Sequence, residues 1–418
     1  MFDLDNWSEI WTTITRNKFR SLLTGIGVSW GIFMLVGLLA IANGFRGGVN
    51  TLVDGFDKNS CFFSAATTSK PYKGYKKGRQ WDLTNKDVTL IQRKASSVDE
   101  VLPGLLDYST SKNVVRDNYS GSFSLRGIYS AQFTIEKQNI LYGRLFNDLD
   151  VEYEKKVCVI GKEVYEALFA VDEDPVGQYI KVKGFQFKVV GVVSPVSQIV
   201  VGSNAEMTVF IPLSTMQRIF NKDNKVSFIA CTPKPGYSAQ MIEDEVTGLL
   251  QAAHNIAPDD EKAVKCFNAE AEFFIFQNLF EGVDILIWVV GLGSLLSGVI
   301  GVSNIMLVTV KERTREIGVR RALGASPVSI VQQIISESFV ITTGFGMAGL
   351  VAGVFLLKFA QMEMAKHSFE DVLFLPPYIT FGVAVAAFLV LCFAGVVAGL
   401  IPSIRALNIK AIDAIREE

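Results

Sequence analysis

The densest charge pattern in the chain runs from Val310 to Pro327, VKERTREIGVRRALGASP. At helical spacing Glu312, Arg315 and Glu316 share one face, and Glu316 to Arg320 is an i,i+4 pair in the favoured orientation. Gly324 followed by Ala325, Ser326 and Pro327 reads as a helix stop, a cap and a restart. A short charged helix is therefore expected here. Bases alone would suffice to anchor a segment beside a membrane, but acids and bases interleave in this one, so a surface that docks another protein is also expected.

Other residue types that could do chemistry do not assemble. The five cysteines, Cys61, Cys158, Cys231, Cys266 and Cys392, show no CxxC spacing, and the two histidines, His254 and His367, sit in unrelated contexts. A structural zinc site needs several clustered Cys or His ligands, so no metal is expected. Four of the cysteines could pair in three ways, and the plainer reading is small buried thiols. No Ser/His/Asp set, HExxH or catalytic carboxylate pair is present, and there is no GxxxxGK[ST] phosphate loop. The chain is not expected to be an enzyme by itself. Lys70 to Arg79 (KPYKGYKKGR) interleaves bases with tyrosines as a single-strand nucleic-acid platform does. The shortness of the run and the exterior location expected of it favour a solvated loop, and with a net charge of −2 no nucleic-acid partner is expected.

The elements that must position these residues are membrane spans. Of 418 residues 49% are hydrophobic and 20% charged, mean hydropathy is +0.31, and soluble proteins carry about 25% charge. Crossing about 30 Å of hydrocarbon takes roughly 20 apolar residues. Four segments qualify: residues 22–43, 285–310, 334–357 and 378–401, the last closed by Pro402. The first is too long for a signal-peptide core, despite Ala40-Ile41-Ala42, and reads as a retained span. The four spans are poor in internal charge. Glu337, one turn into the third, is the nearest candidate for an ion pathway, and a structural role suits it better. Gly349 to Gly353 forms a GxxxG pair, with Gly346 on the same helix, which would let a neighbouring backbone approach.

Basic residues in short loops set orientation. Arg16, Lys18 and Arg20 precede the first span; Lys311, Arg313, Arg315, Arg320 and Arg321 follow the second; Arg405, Lys410 and Arg416 follow the fourth. The loop at 358–377 has two lysines against three acids. Both termini, the loop at 311–333 and the tail at 402–418 are thus expected in the cytoplasm, and the insert at 44–284 outside. Within residues 1–21, Leu4, Trp7, Trp11 and Ile14 recur at helical spacing, as in an amphipathic helix lying in the lipid interface.

The insert is too long for a loop and suits an α+β domain. Strands are expected at 113–115, 157–160, 179–182, 187–193 and 208–211, and helices at 85–95, 162–168, 214–220 and 238–254. Strands predominate from about 107 to 206, which predicts a β-rich subdomain inserted into a mixed one. The fold class is an integral membrane α-helical protein, with four spans and a large extracytoplasmic α+β domain between the first and second.

At these residues the chain resembles the MacB/FtsX (macrolide-exporter-like) permeases of the ABC transporters. ERTREIG from Glu312 to Gly318, then Arg320, Ala322 and Gly324-Ala325, is similar to the family signature after its second span. Arg16-Asn17-Lys18 and Arg20 to Thr24, with Gly27 and Gly31, resemble the entry into the first span. Glu337, Gly346, Gly349 and Gly353 resemble the third. Pro402, Arg405, Ala406 and Ile412 to Arg416 with Glu418 resemble the C-terminal signature, with Ala411 where a proline is usual. Val157 to Leu168 and Asp174 to Val193 look like the family's extracytoplasmic core.

The resemblance implies a permease that dimerises, as a homo- or heterodimer, and binds a cytoplasmic ABC ATPase through Glu312, Arg313, Arg315, Glu316, Gly318, Arg320 and Gly324. ATP and Mg would be held by that partner and no cofactor by this chain, with the ATPase expected on a separate subunit. Closure of the ATPases would be transmitted to the outer domains, which move substrate on the far side of the bacterial inner membrane. Three readings follow: export of a hydrophobic or amphipathic drug, peptide or lipid-like substrate with a periplasmic adaptor and outer-membrane channel; extraction of lipoproteins; or an FtsX-like transducer that activates a cell-wall hydrolase. The large insert favours transport over transduction.

Overall fold

The computed structural model describes residues 18–108, 112–222, 224–366 and 375–408. The amphipathic pattern at residues 1–17 and the C-terminal signature beyond Asn408 lie outside them. The chain divides into two compact units, Met1–Val49 with Asn278–Glu418, and Asn50–Gln277.

Helix α1 spans Lys18–Val53, and after the insert come α6 (Ala269–Glu312), α7 (Thr314–Ala322), α8 (Pro327–Lys366) and α9 (Phe381–Leu407). Among the described residues, α1, α6, α8 and α9 are long and apolar enough to cross a membrane. Their helices outrun the apolar stretches that mark the spans, because charge ends a hydrocarbon-compatible window without ending a helix. The 44 residues of α6 extend about 66 Å at 1.5 Å per residue. Its start is capped by Asn268, whose side chain accepts from the Ala271 amide at 3.1 Å. Thr380 caps α9 in the same way, accepting from Val383. Pro402 does not close the fourth span: it sits buried inside α9, which runs on to Leu407. Proline removes one helical hydrogen bond, a loss that neighbouring helices can accommodate in a membrane bundle. The next residue, Ser403, turns its hydroxyl back onto the Gly399 carbonyl at 2.6 Å.

The four helices share a core of Val28, Ile32 and Val36 with Leu295, Val302 and Met306, Ile334 and Ile341, and Leu391 and Ala398. Outward they expose large apolar side chains such as Trp30, Leu286, Val289, Phe355, Phe393 and Ile404. A watery surface does not carry so much contiguous apolar area, and lipid does.

The second unit contains strands β1 (Cys61–Ala65), β2 (Leu83–Thr84), β3 (Val98–Tyr108), β4 (Val114–Arg116), β5 (Tyr119–Gly121), β6 (Ser124–Ile128), β7 (Gln138–Gly143), β8 (Val157–Gly161), β9 (Tyr179–Val182), β10 (Phe185–Pro195), β11 (Thr208–Pro212), β12 (Lys225–Val226), β13 (Phe228–Pro233) and β14 (Val264–Asn268). Its helices are α2 (Asn85–Lys94), α3 (Lys162–Leu168), α4 (Leu213–Ile219) and α5 (Ala239–Ala253). Two single-turn helices, Gln132–Ile135 and Asp148–Glu152, flank β7. Twelve strands form one mixed sheet in the order β14-β1-β13-β3-β6-β11-β8-β10-β9-β4-β5, with β7 paired to β10.

Strand β3 joins the two ends of this sheet. It pairs with β13 from Val98 to Gly104 and with β6 from Leu105 to Tyr108. Pro103, which has no N–H to donate, falls where only β13 is in register. One end packs α2 and α5 against β1, β3 and β13 through Phe63, Ile91, Val101, Ile229, Ile242 and Leu250. The other packs α3 and α4 against β6, β8, β10 and β11 through Leu125, Ile160, Val164, Phe187, Leu213 and Met216. The strand-rich stretch expected from about 107 to 206 is thus continuous with its surroundings through β3.

Candidate functional site

The charged segment after the second span folds as three pieces. Helix α6 ends at Glu312, Arg313 takes a non-helical conformation (φ −99°, ψ 12°), and α7 restarts at Thr314. The break has a local cause. The Thr314 hydroxyl bonds back to the carbonyls of Val310 (3.2 Å) and Lys311 (2.8 Å), in competition with the helix ladder. Glu312 therefore belongs to a different helix from Arg315 and Glu316. All three are exposed, but the single helical face expected for them is interrupted.

Past Ala322 the turn is made as its residues demand. Gly324 takes φ +94°, a left-handed conformation that costs glycine no steric clash. The amides of Gly324 and Ala325 close onto the carbonyls of Arg321 and Arg320. Ser326 then accepts from the Ser329 amide at 3.3 Å and starts α8 behind Pro327.

Two ion pairs hold α7. Arg313 donates to Glu337 at 3.0 Å, and Glu337 is only 3% exposed. Its structural role is to lock the α6–α7 junction onto α8. Such a pair contributes positional specificity, and removal of one partner strands a buried charge. Arg320 bridges Glu316 at 2.6 Å and Gln333 at 2.8 Å, so the i,i+4 pair is extended to α8. Arg321 donates to the Leu407 carbonyl at 2.8 Å and ties α7 to the end of α9. Gly318 is buried on the inner face of α7. The outer face carries Arg315, Glu316, Val319 and Leu323, with Val328 at the start of α8, and Leu323 is 83% exposed. This apolar component was missed by reading charges alone. The i,i+4 spacing of Arg315, Val319 and Leu323 was its available signal.

The three motif glycines of the third span, Gly346, Gly349 and Gly353, are buried. A β-carbon on Gly349 would overlap the backbone carbonyl of Ser29 in α1, one on Gly346 would overlap the Leu391 side chain of α9, and one on Gly353 would lie 3.3 Å from Val36. A further close approach, at the Gly27-x-x-x-Gly31 pair of the first span, brings α1 and α6 together. There a β-carbon on Gly298 would lie 2.8 Å from Val28 Cα.

In the outer domain a cleft of about 660 Å³ is floored by Phe62, Leu106, Phe228 and Phe267 and rimmed by Glu243, Glu261 and Lys265. Lys70 to Arg79 is an exposed hairpin. Lys73 and Gly74 both take positive φ, Tyr72 and Tyr75 pair across the turn, and the Arg79 guanidinium lies 4.3 Å over the Tyr75 ring.

Residues 21–249 match the MacB-like periplasmic core domain, and residues 288–411 match the FtsX-like permease C-terminal domain. Among relatives, the macrolide export ATP-binding/permease protein MacB of Bdellovibrio bacteriovorus is 26% identical over 97% of this chain and 60% of its own length. The pyoverdine export ATP-binding/permease protein PvdT of Pseudomonas savastanoi pv. phaseolicola is 27% identical over 99% of this chain and 60% of its own. The crystal structure of the periplasmic region of MacB from Actinobacillus actinomycetemcomitans aligns with a TM-score of 0.42 and 21% identity, over 54% of this chain and 96% of that one. The chain spans about 60% of the length of these full-length relatives. With the first match beginning at the first span and the second covering the other three with the charged loop, the chain belongs to the MacB/FtsX-like family of ABC transporter permeases, as a multi-pass membrane protein.

Proposed function

We propose that this chain is the permease of a mechanotransmission ABC transporter, which couples ATP hydrolysis by a separate cytoplasmic subunit to export or extraction of a hydrophobic or amphipathic substrate outside the membrane. The observation that carries the reading is the outer face of α7. A short helix fixed to the second, third and fourth spans by Arg313, Arg320 and Arg321 leaves Arg315, Glu316, Val319 and Leu323 facing away from the bundle. Val319, Leu323 and Val328 are exposed together beside Arg315 and Glu316, and an apolar centre with a polar rim is the usual anatomy of an interface. A push on α7 is delivered directly to α6, α8 and α9 through these bonds.

In this reading two permease copies pair, the ATPase holds ATP and Mg, and both termini of the chain are cytoplasmic in the inner membrane. Relatives named for export of macrolides and of pyoverdine support an amphipathic substrate. The aromatic-floored outer cleft supports transport over pure signalling, because a transducer needs no such space. A periplasmic adaptor and outer-membrane channel would complete an export path.

Co-purification of the ATPase with the permease tests the coupling face. Arg315→Glu with Leu323→Asp changes two exposed side chains outside the Arg313–Glu337 and Glu316–Arg320 pairs, so membrane insertion and expression should be unchanged. ATPase retention should fall at least tenfold, because a buried charge replaces the apolar anchor and a reversed charge faces its former partner. Retention at the parent level would mean that α7 is an orientation anchor and that the coupling role is wrong.

A further inference from the structure

We propose that the outer cleft takes a short extended peptide, which adds to the open edge of β14 as one more strand. The peptide is then the cargo of the transporter proposed above, and this assignment rests on that function. The register fixes which main-chain groups are open. Ala66 donates its amide to the Ala263 carbonyl at 2.9 Å, and Ala269 donates to the Ser60 carbonyl at 3.0 Å. Bonded and non-bonded pairs alternate along an antiparallel ladder. Between these limits Lys265 and Phe267 therefore bond to β1, whereas Val264, Cys266 and Asn268 turn their amides away from it. Strand β14 ends the sheet and is registered only with β1. Among the described residues, no turn or side chain takes up the outward amides of Val264, Cys266 and Asn268, or the outward carbonyls of Val264 and Cys266. Val264 is only 5% exposed, and main-chain groups so far removed from water are seldom left unpaired. An added strand satisfies them.

The cleft lies where that strand would run. Val264 and Cys266 line it, although their side chains border the core beneath α2 and α5, so the main chain at the sheet edge forms part of the cleft wall. On the other face of β14, Phe267 and Lys265 stand beside Phe62 and Ser64, their partners on β1, and all four line the cleft. Alternate side chains of an added strand would rest on this aromatic face. The other set would point toward α5, whose Glu243 stands on the rim and accepts from the Asn268 side chain at 2.8 Å. With Glu261, the rim acids outnumber Lys265, so a peptide of alternating apolar residues with basic ends complements the site.

Size selects a short occupant. Strand β14 offers an edge of 5 residues, and a cleft of about 660 Å³ is the size of a small-ligand site. A folded partner would need about 800 Å² of matched surface on each side. Main-chain bonds to a sheet edge supply affinity whatever the sequence, and the surfaces for alternate side chains supply the preference.

Fluorescence anisotropy on the full chain in lipid nanodiscs tests this, with empty discs subtracted and no ATPase present. The probe is labelled acetyl-Lys-Val-Thr-Val-Thr-Val-Lys-amide, which the parent should bind saturably. N-methylation of every valine and threonine keeps the side chains and removes the donors from both edges of the peptide. It should weaken binding roughly tenfold or more. Cys266→Pro removes one outward amide and leaves the ladder to β1 intact, because proline is tolerated where an edge amide points away from the sheet. It should weaken binding by a similar factor, while Cys266→Ala, which keeps the amide, should stay within about threefold of the parent. Equal affinity for the N-methylated peptide would make the cleft a plain apolar pocket and overturn strand addition, whether or not the proline variant folds. Absence of saturable binding by the parent would overturn it too. Because binding is read without the ATPase, its loss leaves the coupling role of α7 standing, and failure of the co-purification test leaves the binding result standing.

Discussion

Glu173 and Arg116 show how much of the outer domain's polar structure is decided by single contacts between distant strands and loops. Arg116 on β4 donates to Glu173 at 3.0 Å, to the Leu168 carbonyl at 3.1 Å and to Gln178 at 2.8 Å, and its guanidinium lies 4.1 Å over the Phe169 ring. The guanidinium, the Ala170 amide and Gln178 together hold the Glu173 carboxyl at about 2, against an ordinary 4.5. A carboxyl whose folded pKa is depressed contributes stability that is complete above its unfolded value and is lost as pH falls toward the folded one. This contribution is thus present above about pH 4.5 and disappears between there and about pH 2. Arg116→Leu should lower the melting temperature of the detergent-solubilised chain at pH 6, and the gap to the parent should shrink steadily below pH 4. A gap that stays constant from pH 6 to pH 2.5 would assign the role of Arg116 to packing on Phe169. Neither residue could be singled out in the sequence, since nothing local pairs residue 116 with residue 173. The coupling loop differs because its pairs are local. Glu316–Arg320 and the Gly324 turn were readable as they stand, whereas Arg313–Glu337 needed the packing of two helices, and the outward direction of Leu323 contradicts the usual burial of leucine.

Helix packing is where one added carbon has the largest effect. Gly349 lets the α8 backbone meet the Ser29 carbonyl of α1, and backbone cannot move aside as the tip of a side chain can. Gly344 on the same helix faces open space, with no atom within 4 Å of the point where a β-carbon would stand, so it serves as the matched control. Gly349→Leu should destabilise the bundle by about 1–3 kcal/mol or more, as overpacking does. Gly344→Leu, which adds the same volume and improves helix propensity, should be neutral or mildly stabilising. Thermal unfolding in detergent measures both, and equal melting temperatures for the two variants would show that the α1–α8 contact is looser than this geometry requires. At the same scale the outer domain was readable only in part. Strands with clean alternation or β-branched runs, such as Tyr179–Val182 and Thr208–Pro212, and helices such as Lys162–Leu168, lie within a residue or two of expectation. Strands β1, β13 and β14 escaped because CFFSA, FIACTP and VKCFN are short and nearly free of alternation. Strand β3 was hidden by Pro103 and Gly104, which normally punctuate a strand, and Pro402 misled in the same way at α9.

For the chain as a whole, the expectation of greatest consequence is that the insert lies outside the membrane. The positive-inside rule counts lysines and arginines in short loops and gives acids little weight, so pairing of Arg313 with Glu337 and Arg320 with Glu316 does not weaken the count. With Lys311, Arg313, Arg315, Arg320 and Arg321 between α6 and α8, this loop is expected in the cytoplasm, and with four spans the insert must then lie outside. The coupling role of α7 depends on this orientation. Lys73 at the tip of the exposed hairpin and Arg315 on the outer face of α7 are well-placed reporters, because each is at a surface and neither is in a core. Relative to the parent chain, Lys73→Cys in intact cells stripped of their outer membrane should react with a membrane-impermeant maleimide within minutes. Arg315→Cys should gain label only after the inner membrane is opened. Labelling of Arg315→Cys from the outside, with Lys73→Cys protected, would invert the chain. The α7 face would then be out of reach of any ATPase, and the outer cleft would become an internal one.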